Sequence, residues 1–163
     1  MKIDKEDEYL LKKYTWSIQS KGYAMTTLND EKKSALLMHR VIINAPKGVY
    51  VDHINGDPLD NRRANLRLCT IAQNNGNTPK RKANTLGNKG IFTHPNTPKY
   101  VAAIQHNYKS YYLGSYVTKE MAALAYNRAA LHLFGEFARL NKLPWKHRNL
   151  SLDPSQERKL PTH

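Results

Sequence analysis

The first part of the chain has the hydrophobic pattern of short strands followed by a helix. Residues 14–18 (YTWSI) are rich in strand-forming side chains, and Lys21-Gly22 punctuates the pattern after them. Residues 22–27 are expected to pair, across the polar turn 29–33, with the segment that follows it. Apolar residues then recur at helical spacing before the stop signal Pro46-Lys47-Gly48, at Leu37, Met38, Val41, Ile42 and Ala45.

The pattern of residues 49–77 predicts a strand, a long polar loop, a second strand and a short helix. The β-branched run 49–54 enters an Asn-Gly turn and a loop of Asp, Asn and Arg, and a second strand is expected over 65–68. The helix is expected over 71–77, with Thr70 as its N-cap. We expect the core here to include Trp16, Leu66 and Leu68. Residues 78–87 are rich in Pro, Gly and Lys, which predicts a linker.

The second half of the chain predicts a three-stranded antiparallel sheet over 89–116 and a helix behind it. The helix begins after the N-cap Thr118 and ends at Gly135, and small side chains dominate one of its faces. Strand alternation would turn one set of side chains toward this helix (Tyr100, Ala102, Ile104) and the other set outward (Val101, Ala103, Gln105). Residues 142–163 have no periodicity, and we expect an extended tail.

Composition and charge narrow the range of functions that the chain can have. The 163 residues carry 26 Lys and Arg against 13 Asp and Glu, a net charge of +13. The charge is spread evenly, with net values of +3, +3, +4 and +3 over 1–48, 49–85, 86–141 and 142–163. This distribution favours a polyanion lying along much of the molecule. With no apolar run long enough for a membrane span, we expect a cytoplasmic protein without a membrane partner. The single cysteine, Cys69, excludes an internal disulfide and a Cys-rich zinc site.

Asp52 and His53 are candidates for phosphodiester chemistry. They are neighbours at the end of a predicted strand, so their side chains should point to opposite sides. A histidine is a suitable general base near neutral pH. A carboxylate together with an amide oxygen suits a hard cation such as Mg²⁺. Asn74 is placed to supply that amide, and Asn77, about one helical turn further on, is the alternative.

The middle of the chain resembles the His-Asn-His (HNH) endonucleases of the ββα-metal type, and within them most of all the phage and mobile-intron homing group. The resemblance lies in the run VDHINGDPLDNRRANLRLCTIAQNN, which begins at Val51, and in the earlier segment MHRVI. The resemblance implies that His53 is the general base and that Asp52 and Asn74 ligate one divalent metal, Mg²⁺ or Mn²⁺. It also implies that Asn65 braces the loop between the strands. Many such enzymes carry structural zinc, which one cysteine cannot support. Arg62, Arg63 and Arg67 are expected either to contact phosphate or to be solvated, and His39 to be a core histidine or a phosphate contact.

Residues 88–141 resemble the Apetala/ethylene-response-factor type of DNA-binding domain, through Lys89-Gly90-Ile91, Tyr112-Leu113-Gly114 and the Ala-Tyr-Asn-Arg-Ala-Ala run that ends at Ala130. The resemblance implies that the sheet enters the major groove. Its DNA-facing residues would be Lys89, Phe92, His94, Gln105 and Tyr112, with Lys109 nearby. The linker residues Lys80, Arg81 and Lys82 are expected to contact the same duplex. The alternative is an α+β module that uses its aromatic residues only as core.

These expectations combine into an α+β protein: a ββα-metal HNH nuclease module over 1–77, a linker over 78–87, a sheet-and-helix DNA-binding domain over 88–141 and a tail over 142–163. The function expected is site-directed cleavage of double-stranded DNA by a phage-encoded homing endonuclease in a bacterial host cell. Such an enzyme would act as a monomer that nicks or as a homodimer that cuts both strands. The alternatives are a DNA-binding regulator that does not cleave and an RNA-binding protein.

Overall fold

A computed structural model describes residues 1–93 and 96–144. The chain forms two compact units, Met1–Asn74 and Asn75–His163. Both mix helices with antiparallel strands, so the fold class is α+β, as predicted. Among the described residues, no helix is long and apolar enough to cross a membrane. The tail predicted over 142–163 lies, from residue 145 onward, outside the described residues.

A small antiparallel sheet forms the first part of unit one. Its strands are β1 (Ser17–Ile18), β2 (Ala24–Thr27) and β3 (Ala35–Leu37), in the order β1-β2-β3. The predicted pairing across the turn 29–33 is confirmed, with Thr27 opposite Ala35. The strand predicted over 14–18 is shorter than expected. Before it the chain forms a 3₁₀ turn (Lys5–Asp7) and a helix, α1 (Tyr9–Lys13), that the pattern did not predict.

The helix predicted around 37–45 is real but short. Leu37 still belongs to β3, α2 covers only Met38–Ile42, and the prediction that it continued to Ala45 is wrong. The helix ends because Asn44 adopts a left-handed conformation with φ of 48°. Arg40 then donates from its guanidinium to the carbonyl oxygens of Pro46 and Val49, which fixes the chain in this turn.

The segment that carries the predicted catalytic residues is a strand, a loop, a strand and a helix. β4 (Tyr50–His53) pairs with β5 (Leu66–Cys69), and the polar loop between them closes with a 3₁₀ turn at Arg63–Asn65. α3 (Ile71–Asn77) follows, and Thr70 caps it as predicted. The Thr70 hydroxyl accepts from the Gln73 N–H at 3.2 Å, and the Gln73 side chain accepts from the Thr70 N–H at 2.8 Å.

The core of unit one draws on all of these elements. It contains Leu10, Ala24, Met38, Ile42, Val51 and Leu66. Trp16 packs against it and donates from its indole N–H to the Leu10 carbonyl at 2.9 Å, in agreement with the prediction. The prediction for Leu68 is wrong, because that side chain is 45% exposed. Its ladder partner Val51 is in the core, but the Leu68 side chain itself lies largely in solvent.

Unit two has the predicted sheet and helix. Strands β6 (Ile91–Thr93), β7 (Tyr100–His106) and β8 (Lys109–Tyr116) form an antiparallel sheet, and α4 (Lys119–Phe134) packs on it. Thr118 caps α4 through the Met121 N–H at 3.2 Å. Close packing requires Gly90, with φ of 72°, since a Cβ there would collide with the Tyr126 ring.

The simple alternation predicted along β7 does not hold throughout. Val101, expected to face outward, is buried together with Ala102 and Ile104. Val101 lies opposite the exposed Phe92 in the ladder, so it is on the outward face but covered there. The register shifts between Ala102 and Ala103, where β8 carries one extra residue. Gln105 is exposed, as predicted.

Candidate active site

Asp52 and His53 lie at the end of β4, and both side chains are buried. Asp52 stands directly opposite Arg67 in the ladder, and His53 opposite Leu66. Nε and Nη2 of Arg67 each lie 2.9 Å from Oδ2 of Asp52, which makes a two-pronged, charge-assisted contact. The carboxylate therefore has a cationic partner and is fixed in orientation by the neighbouring strand.

His53 lies in a cluster of aromatic rings. The His39 ring packs edge-on against it with the centroids 5.1 Å apart, and the Tyr23 ring lies 5.8 Å away. Tyr23 and His39 also contact each other, at 5.1 Å. On a further side, Nε2 of His53 lies 3.3 Å from Oδ1 of Asn61. These contacts hold the imidazole in one position.

Burial keeps both histidines of this cluster uncharged near neutral pH. Desolvation lowers the pKa of His39 to about 4, and the neighbouring His53 and the charge of Arg40 lower it further. Burial also lowers the pKa of His53, although the Asn61 bond and the charge of Asp52 partly oppose this. A neutral imidazole keeps one nitrogen able to accept a proton, which a general base requires.

Asn65 joins the two ends of the β4–β5 loop. Its Oδ1 accepts from the Asn55 N–H at 3.0 Å, and its Nδ2 donates to Asn55 Oδ1 at 3.0 Å and to the Asp60 carbonyl at 2.8 Å. Asn65 is buried, so water cannot readily replace these bonds. The side chain braces the segment that leads into and out of His53.

Asp60 is a second brace of the loop. It is fully buried and accepts from Nε and Nη2 of Arg62 at 2.8 and 2.7 Å, and from the Asn55 amide at 2.9 Å. These donors, Arg62 above all, hold the pKa of Asp60 well below its ordinary value. The backbone of Lys2 pairs with the same loop, donating to the Leu59 carbonyl at 2.8 Å and accepting from the Asn61 N–H at 2.9 Å.

Arg63 ties the loop to the N-terminal segment. Its backbone N–H donates to Asp4 at 2.7 Å, and its guanidinium binds the buried carboxylate of Asp7 at 2.7 and 3.0 Å and that of Glu6 at 2.6 Å. Arg62 and Arg67 are likewise bound to carboxylates. All three arginines expected to contact phosphate or solvent are therefore parts of the fold, and their contact with DNA stays a prediction.

The two candidate amide ligands fall in different places. Asn74 is partly exposed on α3 and belongs to unit one, together with Asp52 and His53. Asn77 is buried within unit two, where its carbonyl accepts from Arg139 at 3.4 Å. No cluster of three or more His, Cys, Asp or Glu suited to a metal occurs in residues 1–93 and 96–144.

Burial raises the pKa of the Cys69 thiol to about 11, which disfavours the thiolate.

The residues predicted to face DNA in the second half divide into two groups. Phe92, Gln105, Lys109 and Tyr112 are exposed on the sheet. Lys89 instead donates from Nζ to the carbonyls of Asn75 and Gly76 at 3.2 and 2.6 Å, and burial lowers its pKa to about 8. Lys80, Arg81 and Lys82 are exposed, and the Lys80 ammonium also donates to the Asn84 carbonyl at 3.1 Å. His94 lies outside the described residues.

Sequence reasoning missed Tyr23 and Asn61, which contact His53. Asn61 lies in the run LDNRR, which reads as ordinary turn chemistry. Tyr23 lies about thirty residues before His53, directly ahead of β2, in a segment whose pattern carries no functional signal. Only the tertiary arrangement brings these two side chains to the imidazole.

Comparison with known proteins identifies the family of this chain. A family model described as HNH endonuclease matches residues 37–76, the range that holds His39, Asp52, His53, Asn65 and Asn74. The chain is 32% identical over 136 residues to an uncharacterized HNH endonuclease of Acanthamoeba polyphaga mimivirus, an alignment that covers 82% of this chain and 70% of that protein. It is 36% identical over 99 residues to Protein 3.8 of Escherichia phage T7, which covers 58% of this chain and 77% of that protein. No solved structure matches significantly. The chain therefore belongs to the HNH endonuclease family.

Proposed function

We propose that this protein is a metal-dependent endonuclease that hydrolyses phosphodiester bonds in double-stranded DNA. One observation carries the proposal: the buried His53 imidazole stands next to the buried Asp52 carboxylate, which Arg67 holds, at the end of a braced strand. His53 accepts a proton from the attacking water. The water oxygen bonds to phosphorus, and the bond from phosphorus to the 3′ oxygen breaks. The departing 3′ oxygen takes a proton from a solvent water, which leaves 5′-phosphate and 3′-hydroxyl ends.

Asp52 and Asn74 are the proposed metal ligands. A carboxylate and an amide oxygen are hard donors of the kind that Mg²⁺ and Mn²⁺ prefer. When bound, such an ion neutralises the phosphate and stabilises charge on the departing 3′ oxygen. Asn74 is favoured over Asn77 because it lies in the same unit as Asp52 and is partly exposed. Arg67 contacts Oδ2 of Asp52 and so fixes the orientation of the carboxylate.

Unit two is the proposed DNA-binding part. Its sheet exposes aromatic, amide and cationic side chains on neighbouring strands, at Phe92, Gln105, Lys109 and Tyr112. Gln can read adenine through two hydrogen bonds, and Lys binds phosphate or guanine. Together with the net charge of +13, these groups suit a DNA duplex. The resemblance to the Apetala/ethylene-response-factor type and to homing nucleases suggests site-directed cleavage for a mobile element, in the cytoplasm of a phage host.

Purified protein incubated with supercoiled plasmid tests the proposal. We expect nicking that requires Mg²⁺ or Mn²⁺, stops with EDTA and yields ends that ligase can seal without phosphorylation. A monomer with one such site should make nicks first, and dimers should give linear product. Protein that binds duplex DNA but never nicks it with either metal would identify a regulator instead. Tighter binding to structured RNA than to duplex DNA would favour the RNA-binding alternative.

A further inference from the structure

Asn61 is buried against the proposed general base. It is among the largest fully buried side chains of the described chain, and its Oδ1 lies 3.3 Å from Nε2 of His53. Its backbone N–H donates to the Lys2 carbonyl at 2.9 Å, which fixes the position from which the side chain reaches the imidazole. The amide is therefore presented to His53 by an anchored piece of backbone.

The rest of this amide is not satisfied. Within the part of the chain that the structure describes, Nδ2 of Asn61 is buried and has no hydrogen-bond partner. A buried donor left in this state destabilises the fold, and an apolar side chain of similar shape would avoid that penalty. Asn55 and Asn65, in the same loop, each use both side-chain atoms in hydrogen bonds. A bracing role thus accounts for Asn55 and Asn65 but not for Asn61.

The contact to His53 has a chemical consequence. A neutral imidazole carries its proton on one nitrogen and accepts through the other. With the amide oxygen of Asn61 turned toward the ring, the contact at 3.3 Å is a hydrogen bond only when the proton of His53 is on Nε2. His39 and Tyr23 pack against the same ring and restrict its rotation.

Building on the proposed nuclease activity, we propose that Asn61 is a positioning residue that holds His53 in the tautomer protonated at Nε2. Nδ1 is then the atom that takes the proton of the attacking water. The residue does not touch substrate itself. It acts by fixing which nitrogen of the base accepts, and the partly unsatisfied amide is retained for that purpose.

Two measurements on the full chain test this. The first is the ¹⁵N NMR spectrum of the neutral imidazoles without metal or DNA, with the His53 signals identified by their loss in His53→Ala. We expect the proton of His53 on Nε2. The second compares Asn61→Leu with wild type in single-turnover nicking and in thermal melting. We expect a rate about 10- to 100-fold lower, the magnitude typical of lost supporting contacts, with a melting temperature equal to or above that of wild type. Asn29→Leu, at an exposed position in the β2–β3 turn, is the matched control.

The outcomes separate this inference from the proposed function. A proton on Nδ1 of His53 overturns it, as does nicking by Asn61→Leu at the wild-type rate. A folded, slow Asn61→Leu together with the Nε2 tautomer supports it. If Asn61→Leu fails to fold, the wild-type tautomer decides. If wild-type protein never nicks DNA, the nuclease proposal fails while the tautomer measurement still reports on the Asn61–His53 contact.

Discussion

Arg67 holds Asp52 across the β4–β5 ladder, with both guanidinium donors 2.9 Å from the same carboxylate oxygen. The aspartate expected to bind metal is thus already paired with a cation. Because Asp52 is buried, its charge needs a partner even without a metal. Arg67 supplies that partner, and a bound divalent ion would share the carboxylate with it.

Replacing Arg67 should therefore make the protein depend more on metal. In Arg67→Gln the buried Asp52 loses its cation, so we expect a lower melting temperature without metal and a larger increase on adding Mn²⁺ than in wild type. Differential scanning calorimetry with and without Mn²⁺ measures both. Arg62→Gln is the matched control, since Arg62 pairs with Asp60 in the loop instead. An equal Mn²⁺ response in wild type and Arg67→Gln would contradict Asp52 as a ligand.

Asn65→Ala should loosen the loop beside His53. The substitution removes two donated bonds and one accepted bond, all about 3 Å long, in a buried setting. We expect a loss of about 2–3 kcal/mol in the free energy of unfolding, measured by urea denaturation. Asn75→Ala, at an exposed position in α3, is the control. A loss below about 0.5 kcal/mol would mean that the loop does not rely on this brace.

Two arginines that look alike in the sequence should behave in opposite ways. Arg63→Ala leaves the buried Asp7 carboxylate without its guanidinium, so we expect the melting temperature to fall by several degrees. Arg81→Ala lies in the exposed linker, so we expect an unchanged melting temperature and weaker duplex binding. The slope of log affinity against log salt concentration should become smaller in magnitude by about one. Melting curves and fluorescence anisotropy at several salt concentrations distinguish them. An unchanged melting temperature of Arg63→Ala would show that Arg63 does not stabilise the contact between the loop and the N-terminal segment.

The lowered pKa of His39 predicts that the stability of the folded protein depends on pH. Its pKa is about 4 when folded, against 6.5 as the ordinary value. Between these values the unfolded chain binds the proton and the folded chain does not, so stability falls as the pH falls from about 6.5 to about 4. The shift corresponds to a contribution on the order of 3 kcal/mol, fully present above pH 6.5.

Urea denaturation at pH 4.5 and pH 7 checks this. His39→Phe keeps a ring against His53 and Tyr23 but cannot take up a proton, so its loss of stability over this range should be smaller than that of wild type. His132→Gln, exposed on α4, should keep the wild-type dependence. The same pH dependence in His39→Phe as in wild type would show that other groups cause it.

Local patterns predicted much of the fold. The cap of α3 depends on Thr70 and Gln73, three residues apart, and the β2–β3 pairing depends on one polar turn. The order of β6, β7, β8 and α4 follows from alternation and from the Thr118 cap. Each of these features is determined by residues close together in the chain, where a pattern is visible.

The rest of the site depends on distant pairs that carry no pattern. Arg63 binds Asp7 from 56 positions away, so the sequence alone did not show that this arginine belongs to the fold. Asn61 lies only eight positions from His53, but its contact depends on how the loop folds back. The end of α2 was missed because it depends on the backbone conformation of Asn44 and on Arg40 reaching the following turn. Whether a polar side chain contacts DNA or the protein cannot be judged from its type alone.

The most direct test of the central claim is nicking of supercoiled plasmid by wild type and His53→Ala, with Mg²⁺ or Mn²⁺, alongside the duplex affinity of both proteins. Because His53 is the proposed general base and the proposed DNA-facing residues lie in other segments, we predict that His53→Ala loses metal-dependent nicking and keeps duplex affinity within about twofold. Nicking by His53→Ala at the wild-type rate would contradict the account.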